Sequence, residues 1–284
     1  MKVLVTGAKG QLGYDVVKAL ANRDVPRKGV DTDDFDITDK DAVFHAITDY
    51  APTVVIHCAA YIAVDRAEDE PERCRKVNEN GARYIAEACK SIDATMIYIS
   101  TDYVFPGHGD HFHNTDDPTS PVSVYGKTKL AGEKAVQETL DKFFIVRTSW
   151  VFGENGNNFV KTMLRLSKEC ESLDVVCDQI GSPTYTADLA PLLCDMAESD
   201  KYGVYHATNE GICSWAEFAQ AVFMQVGLKT TVVPISTGDY PAKAVRPLNS
   251  RLDKCSLEAN GFKRLPHWED ALFRYLTIIG EVQH

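Results

Sequence analysis

A glycine-rich loop near the start of the chain sets the strongest limit on its fold. Residues 6–13 carry glycines at positions 7, 10 and 13, follow an apolar strand predicted over 2–6, and open a helix predicted over 11–22. Glycines at this spacing permit a tight turn, a close approach of the backbone to a pyrophosphate, and close packing of helix on strand. The segment therefore predicts a dinucleotide loop. Its predicted cofactor-binding residues are Gly7, Gly10, Gln11, Leu12 and Gly13.

Strands and helices are predicted to alternate up to about residue 150. Further strands are predicted over 28–31, 53–57, 95–99 and 143–147, and helices over 39–49, 76–91 and 124–137. Apolar strands separated by helices are typical of parallel sheets that are covered on both faces. We therefore expect an α/β fold, a Rossmann-type doubly wound parallel sheet.

After Trp150 the alternation loosens. Helices are predicted over 158–169, 187–198 and 215–226, with one more strand over 203–207. The tail from Thr230 contains four prolines, so we expect it to be loop-rich with short elements. These patterns predict a Rossmann domain over 1–150 plus about 184–212. A smaller substrate-binding lobe is expected over about 151–183 and 213–284.

A hydroxyl, a phenol and an ammonium follow in a pattern suited to carbonyl chemistry. Thr101 lies at the carboxyl end of a predicted strand, where open α/β sheets bind ligands. Tyr125 and Lys129 share one face of a predicted helix. The phenol can donate a proton to a carbonyl oxygen, the ammonium can lower the phenol's pKa, and the hydroxyl can hold the oxygen. Tyr14 and Lys18 repeat the spacing, but they lie on the first helix, whose inner face must pack on the sheet.

Acidic and basic residues near the loop bear on the choice of nicotinamide cofactor. Asp31 ends the second predicted strand, where a carboxylate accepts hydrogen bonds from the adenosine ribose and repels a 2′-phosphate. Lys9, within the glycine loop, can instead pair with a 2′-phosphate. We therefore expect NADH or NADPH, with NADH slightly favoured.

Small residues follow the third strand. The small side chains of Ala59 and Ala60, which precede Tyr61, let a flat cofactor lie against the backbone of this segment. Asn78 lies near the start of the next long helix and is predicted to support that loop. A helix cap or a surface position is the alternative for Asn78.

Together these motifs resemble the extended short-chain dehydrogenase/reductase family over nearly the whole chain. The resemblance rests on residues 6–13, 36–39, 58–61, 64–68, 100–105, 125–133, 147–150, 157–159, 178–184 and 246–253. It implies a catalytic triad of Thr101, Tyr125 and Lys129, with Lys129 also holding the nicotinamide ribose. Asp36 and Ile37 join the predicted cofactor site on the same ground. The implied reaction is NAD(P)H-dependent reduction of the C4 keto group of a dTDP-4-dehydro-6-deoxysugar, in the synthesis of cell-surface polysaccharide precursors.

The resemblance also implies a sugar pocket that contains Tyr103, Trp150 and Asn158. Arg246 and Arg251 are expected to contact the diphosphate or the nucleotide, because guanidinium groups match phosphate geometry; surface salt bridges are the alternative for both. The nucleotide-sugar 4,6-dehydratases, which this chain also resembles, place a glutamate directly after the Thr-Asp pair for water elimination. Tyr103 occupies that position here, which favours simple reduction.

Two other functions stay open. A non-catalytic NAD(P)-binding regulatory subunit has the same fold, although the intact triad argues against it. A nucleotide-sugar 4-epimerase would keep its NAD tightly bound through turnover. His108, His111 and His113 resemble a metal-binding cluster, but no second group of ligands has a suitable spacing, so no metal site is predicted.

Charge and cysteine content limit the partners and the compartment. The net charge of -11 argues against nucleic-acid and membrane partners. No apolar run approaches about 18 residues, and Met1 and Lys2 lead straight into a strand, so neither a transmembrane helix nor a signal peptide is expected. Eight scattered cysteines without a Cys-x-x-Cys pair indicate reduced thiols in a cytoplasmic protein. A homodimer is compatible with these features.

Overall fold

A central parallel sheet organises the computed structural model, which describes residues 1–282. The strands are β1 (Val3–Thr6), β2 (Arg27–Val30), β3 (Val54–His57), β4 (Thr95–Thr101), β5 (Phe143–Thr148), β6 (Val151–Phe152), β7 (Ser172–Val176), β8 (Ile180–Gly181), β9 (Thr184–Tyr185), β10 (Gly203–His206), β11 (Cys213–Ser214), β12 (Thr231–Ile235) and β13 (Asn249–Ser250). The helices are α1 (Gln11–Asn22), α2 (Lys40–Tyr50), α3 (Val64–Ala67), α4 (Pro71–Arg75), α5 (Ala82–Ser91), α6 (Val124–Thr139), α7 (Phe159–Leu166), α8 (Thr186–Ala197), α9 (Trp215–Val226), α10 (Cys255–Ala259) and α11 (Trp268–Ile278). A π-helical turn (Lys76–Gly81) precedes α5, and short 3₁₀ turns lie at Asp102–Val104 and Thr237–Asp239.

Six strands form the main sheet in the order β10-β5-β4-β3-β1-β2, and all neighbouring pairs are parallel. The strand order reverses between β1 and β3, because β2 extends the sheet to one side of β1 while the later strands extend it to the other. A crevice at the carboxyl ends of the strands accompanies such a switch point and is where open α/β sheets bind ligands. The predicted Rossmann-type parallel sheet is confirmed.

Helices cover both faces of the sheet because the strand side chains alternate between two apolar cores. Val3 and Val5 pack with residues of α1 and α8 on one face, and Leu4 packs with residues of α2 and α5 on the other. Full burial of each such aliphatic side chain stabilises the fold by about 1.5–3 kcal/mol. The two cores therefore hold the carboxyl ends of the strands in a fixed relation to α1 and α6.

A third core lies in the C-terminal half. Phe152, Phe218, Trp268 and Tyr275 are its large members. Beside it, β7 pairs with β12, and β8 lies between β11 and β13. The helix α9 begins with a capping box, in which the Ser214 hydroxyl accepts from the backbone N–H of Glu217 and the Glu217 carboxylate accepts from the backbone N–H of Ser214.

Three elements differ from the sequence prediction. The tail is not only loop-rich, because α11 forms after the last proline and buries its apolar stripe, including Leu272 and Tyr275. The predicted helix over 76–91 opens with a π-helical turn rather than a regular one. The strands β7 and β12 pair across more than 50 residues, a contact that local patterns do not reveal.

Two features concern the described chain as a whole. Among residues 1–282, no helix is both long and apolar enough to cross a membrane. All eight cysteines carry free thiols.

Candidate active site

The glycine loop joins β1 to α1 at the switch point of the sheet. Gly7 has a φ of +68°, and a Cβ on this residue would lie 2.8 Å from the backbone nitrogen of Ala59. A Cβ on Gly13 would collide with the Gly7 carbonyl oxygen. Gly10 is the N-cap of α1. The loop therefore forms a backbone cradle at the positive end of a helix, which is a geometry that binds phosphate.

A cavity of about 700 Å³ extends from this loop to the predicted triad. It collects most of the residues that the sequence predicted for the site. Those that line it are Gly7, Gly10, Gln11, Leu12, Gly13, Asp31, Asp36, Ile37, Ala59, Ala60, Tyr61, Thr101, Tyr103, Tyr125, Lys129 and Trp150. The cavity wall does not include Asn78, Asn158, Arg246 or Arg251.

Charged side chains stand at the β2 end of the cavity. One Asp31 carboxylate oxygen accepts a hydrogen bond of 2.9 Å from the backbone N–H of Lys9. The Lys9 ammonium pairs with Asp33, and this pairing raises the pKa of Lys9. The structure thus fixes Asp31 beside the glycine loop, while Lys9 points to a neighbouring carboxylate.

Asn78 lies behind the cavity and holds part of its wall. Its side-chain oxygen accepts from the backbone N–H of Tyr61 at 2.8 Å, and its amide nitrogen donates to the Tyr61 carbonyl at 3.1 Å. The π-helical turn carries Asn78, and such turns often occur at functional sites. Asn78 therefore supports the Ala59–Ala60–Tyr61 segment rather than facing the cavity.

The three predicted catalytic residues converge from β4 and α6. Thr101 is the last residue of β4, and Tyr125 lies in the first turn of α6, which Ser123 caps by accepting from the backbone N–H of Gly126 at 3.1 Å. Lys129 follows one turn later, and its ammonium donates to the carbonyl oxygen of Ile99 at 2.7 Å. The same ammonium lies 4.1 Å from the centre of the Tyr98 ring. Thus the strand end and the helix start place a hydroxyl, a phenol and an amine at one end of the cavity.

Burial is the main cause of the pKa shifts of Tyr125 and Lys129. Burial raises the pKa of Tyr125 far above its ordinary value, although hydrogen bonding with Thr101 opposes the shift. Burial also lowers the pKa of Lys129 to about 7, against the attraction of Glu133. The expected lowering of the phenol's pKa by Lys129 does not appear in this structure. A phenol that stays protonated at neutral pH is suited to donate a proton.

Aromatic side chains form the wall next to Tyr125. Tyr103 packs edge-to-face against Tyr125 with 5.4 Å between ring centres. Trp150 has a φ of +50°, a left-handed conformation that is rare outside glycine, and stacks on Trp215 with 3.8 Å between ring centres. Trp215 also lines the cavity, although sequence reasoning had not assigned it to the site. The strained backbone and the stacking fix the Trp150 indole at the cavity wall.

Asn158 links parts of the chain rather than facing the cavity. It caps α7 by accepting from the backbone N–H of Lys161 at 3.0 Å. Its amide nitrogen contacts the side-chain oxygen of Gln11 at 3.1 Å and the hydroxyl of Tyr275 at 2.9 Å. Asn158 therefore connects the glycine loop with the C-terminal core.

The two predicted phosphate contacts are already engaged. Arg246 donates to the Asp65 carboxylate at 2.5 Å and lies close to Tyr103, whose pKa it lowers. Arg251 donates to the side-chain oxygen of Asn249 at 2.9 Å. Arg246 thus lies behind the cavity wall, while Arg251 is held by the side chain of Asn249 in β13.

The histidine-rich loop gathers two of its three histidines with a carboxylate. His111, His113 and Asp117 offer ligand atoms that lie within 4.8 Å of one another, whereas His108 is not part of this group. However, Asp117 already accepts from the backbone N–H of Asn114 at 2.9 Å. The sequence did not single out Asp117, because nothing in its spacing marks it as a ligand.

Dialysis against a chelator is expected to leave turnover and the thermal midpoint unchanged, because Asp117 is engaged and His111 is exposed. Circular-dichroism melting and steady-state kinetics before and after dialysis check this. A large loss of either property that zinc restores would contradict it.

The fold and this constellation define an extended short-chain dehydrogenase/reductase: a dinucleotide cradle at the switch point, with Thr101, Tyr125 and Lys129 across the cavity. Comparisons with known proteins narrow the class. A family model described as the RmlD substrate binding domain matches residues 1–280. The chain therefore belongs to the dTDP-4-dehydrorhamnose reductase family, which confirms the resemblance found in the sequence.

Individual relatives match over almost their full length. The chain is 42% identical to the spore coat polysaccharide biosynthesis protein SpsK of Bacillus subtilis, over 97% of this chain and 96% of that protein. It is also 42% identical to the dTDP-4-dehydrorhamnose reductase of Aggregatibacter actinomycetemcomitans, over 95% of this chain and 97% of the relative. The crystal structure of the dTDP-4-dehydrorhamnose reductase of Bacillus anthracis in complex with NADP superposes with a TM-score of 0.95. It is 43% identical, covering 98% of this chain and 100% of that one.

Proposed function

We propose that the protein reduces the C4 keto group of dTDP-4-dehydro-L-rhamnose to give dTDP-L-rhamnose, with NADH or NADPH. The observation that carries this proposal is the single cavity that joins the glycine cradle to Thr101, Tyr125 and Lys129. The names of the relatives and the NADP complex of one of them support the substrate and the nicotinamide cofactor. The product is a precursor for cell-surface polysaccharide.

The residues present fit a dinucleotide, because Gly7, Gly10 and Gly13 line the cavity where the loop leads into the N-terminus of α1. The loop and the N-terminus of α1 would hold the pyrophosphate, and Asp31 the adenosine ribose. Lys129 would hold the nicotinamide ribose, while Asp36, Ile37 and the 59–61 segment complete the wall. When bound, the nicotinamide supplies the hydride.

The protein's own residues handle the oxygen at C4. Tyr125 donates its phenolic proton to the developing alkoxide, and its raised pKa keeps that proton available. Thr101 donates a hydrogen bond to the carbonyl oxygen. Tyr103 and Trp150 line the sugar pocket, and Arg246 contacts the diphosphate or the nucleotide once it has turned from Asp65. Asn158 and Arg251 support the pocket from outside its wall.

The test of this function is turnover of dTDP-4-dehydro-L-rhamnose, followed as loss of the reduced cofactor's absorbance. Consumption of one cofactor per sugar is expected. A regulatory subunit would consume neither compound. An epimerase would interconvert dTDP-sugars without net loss of NADH or NADPH, and either result would reject the proposal.

We further propose a preference for NADH with tolerance of NADPH. Asp31 lies where it would crowd a 2′-phosphate, and the Lys9 ammonium is paired with Asp33. The NADP complex of a relative supports the tolerance.

Asp31→Ala is expected to shift the ratio of kcat/KM values towards NADPH, since it removes the repulsion between the carboxylate and the 2′-phosphate. Steady-state kinetics with both cofactors measure the ratio. Wild-type protein that uses NADPH at least about tenfold better than NADH would refute the role given to Asp31.

Trp150→Ala is expected to raise KM for the nucleotide sugar with little change in NADH affinity, because Trp150 follows β5, three strands away in the sheet from β1, which leads into the glycine loop. Trp150→Phe, which keeps a stacking ring, should fall between Ala and wild type. Equal losses of sugar and NADH affinity would place Trp150 in a purely structural role.

The domain division follows the same proposal: residues 1–150 with about 184–212 bind the cofactor, and about 151–183 with 213–284 bind the sugar. The addition of β10 to the main sheet supports the assignment of 184–212 to the first domain. Free thiols in all eight cysteines support a cytoplasmic location. Sedimentation analysis tests whether the protein forms a homodimer.

A further inference from the structure

A buried carboxylate adjoins the catalytic hydroxyl. Asp102 is 2% exposed and follows Thr101 at the end of β4. The Thr101 hydroxyl donates to one Asp102 oxygen at 3.0 Å, and the Ser250 hydroxyl donates to the other at 2.5 Å. The Thr101 oxygen also accepts from the backbone N–H of Tyr103 at 3.2 Å. Of these two contacts of Thr101, the one to Asp102 is the one in which its hydroxyl donates the proton.

That proton has two competing acceptors during the proposed reduction. A hydroxyl carries one donor, so Thr101 cannot donate to Asp102 and to the substrate carbonyl at once. An ionised Asp102 only accepts hydrogen bonds and keeps the Thr101 proton. A protonated Asp102 can itself donate to the Thr101 oxygen, and its other oxygen still accepts from Ser250. Protonation of Asp102 therefore frees the Thr101 proton for the substrate.

We propose that Asp102 is a positioning residue for the reduction, and that its protonated form turns the Thr101 hydroxyl towards the substrate carbonyl. This inference rests on the proposed function, in which Thr101 binds that carbonyl. The Asp102 carboxyl thereby connects Ser250, on β13 in the C-terminal half, with the hydroxyl of Thr101.

The surroundings of Asp102 move its titration towards neutral pH. Burial raises the pKa of Asp102 to about 6, although hydrogen bonds from Ser250 and Thr101 oppose the shift. Negative charge that a bound substrate or cofactor brings close to Asp102 would raise this pKa further. The titratable and charged groups that act on Asp102, directly or through Tyr103, are Tyr103, Tyr125, Arg246 and Asp65. Lys129 lines the same cavity, and with a pKa of about 7 it is a second group that titrates near neutrality.

The experiment is the single-turnover rate of hydride transfer as a function of pH. In the wild type this rate should fall, by up to about tenfold per pH unit, once the pH exceeds the pKa of Asp102 in the ternary complex. Asp102→Asn carries an amide that donates to Thr101 at every pH and an oxygen that accepts from Ser250. It should therefore lose this fall and exceed the wild-type rate at about pH 8.

Ser250→Ala provides an independent test, because the direction in which it shifts the pH profile can be predicted. It removes a hydrogen bond that favours the ionised carboxylate, so the pKa of Asp102 rises and the fall in rate moves to higher pH. The exposed Asp116→Asn serves as the matched control and should reproduce the wild-type profile. Because Ser250→Ala keeps Asp102 itself, it decides the matter even if Asp102→Asn does not fold.

Two results would overturn the proposal. The first is an Asp102→Asn profile with the wild-type fall, which would assign that fall to Lys129. The second is a Ser250→Ala profile that does not move. A wild-type protein that does not reduce the sugar at any pH would reject the proposed function, and this inference with it. A wild-type protein that reduces the sugar, with either of the two profiles above in its variants, would reject the inference alone.

Discussion

Tyr125→Phe is expected to lower kcat by roughly 10²–10⁴-fold while NADH affinity stays near that of the wild type. The substitution removes only the hydroxyl that donates the proton. The ring should keep its edge-to-face packing on Tyr103, so the cavity retains its shape. Steady-state kinetics and fluorescence titration of NADH measure the two quantities separately.

Two further variants serve as a control and as a second test of the triad. Tyr14 also has a lysine four residues later but is 40% exposed on α1, so Tyr14→Phe should leave the kinetics near wild type. Lys129→Met should lower kcat and also weaken NADH binding, because it removes a ribose contact. Near-normal turnover in Tyr125→Phe would reject the mechanism.

Glu133→Gln is expected to lower the free energy of unfolding by about 3–5 kcal/mol, since it leaves a buried guanidinium uncompensated. The side chains of Glu133 and Arg147 are 1% and 5% exposed. Arg147 donates to both carboxylate oxygens, at 2.9 and 2.8 Å, and Ser100 donates to one of them at 2.5 Å. Urea denaturation measures the loss.

Glu138→Gln is the matched control on the same helix. Its carboxylate is 69% exposed and lies 3.9 Å from Arg83, so its removal should cost less than about 1 kcal/mol. Equal, small losses for the two variants would show that the buried pair does not stabilise α6 on β5.

The sheet could be predicted because its signals are local. The loop over 6–13 needs glycine for steric reasons, and apolar runs bounded by polar turns mark the strands. The prolines of the tail predict loops, but the last of them is Pro266. The helix α11 begins after it, in a segment without proline, so the prediction of a loop-rich tail does not apply there. The pairing of β7 with β12 depends on contacts between distant residues, which no local period encodes.

The candidate site divides in the same way. Thr101 and Tyr125 could be predicted to meet, since one ends a strand and the other starts the next helix. Trp215 and Ser250 come from segments far along the chain, and only the folded structure brings them to the cavity and to Asp102. Asp102 is visible in the Thr-Asp-Tyr run, but the direction of its hydrogen bonds is not readable from sequence.

The most direct test of the central claim traces the hydride itself. The reaction would be run with NADH that carries deuterium at the transferred position of the nicotinamide, and the dTDP-sugar product would be examined by NMR. We expect one deuterium at C4 of the sugar for each NADH consumed. A product without deuterium at C4, or a changed sugar with no NADH consumed, would contradict the account.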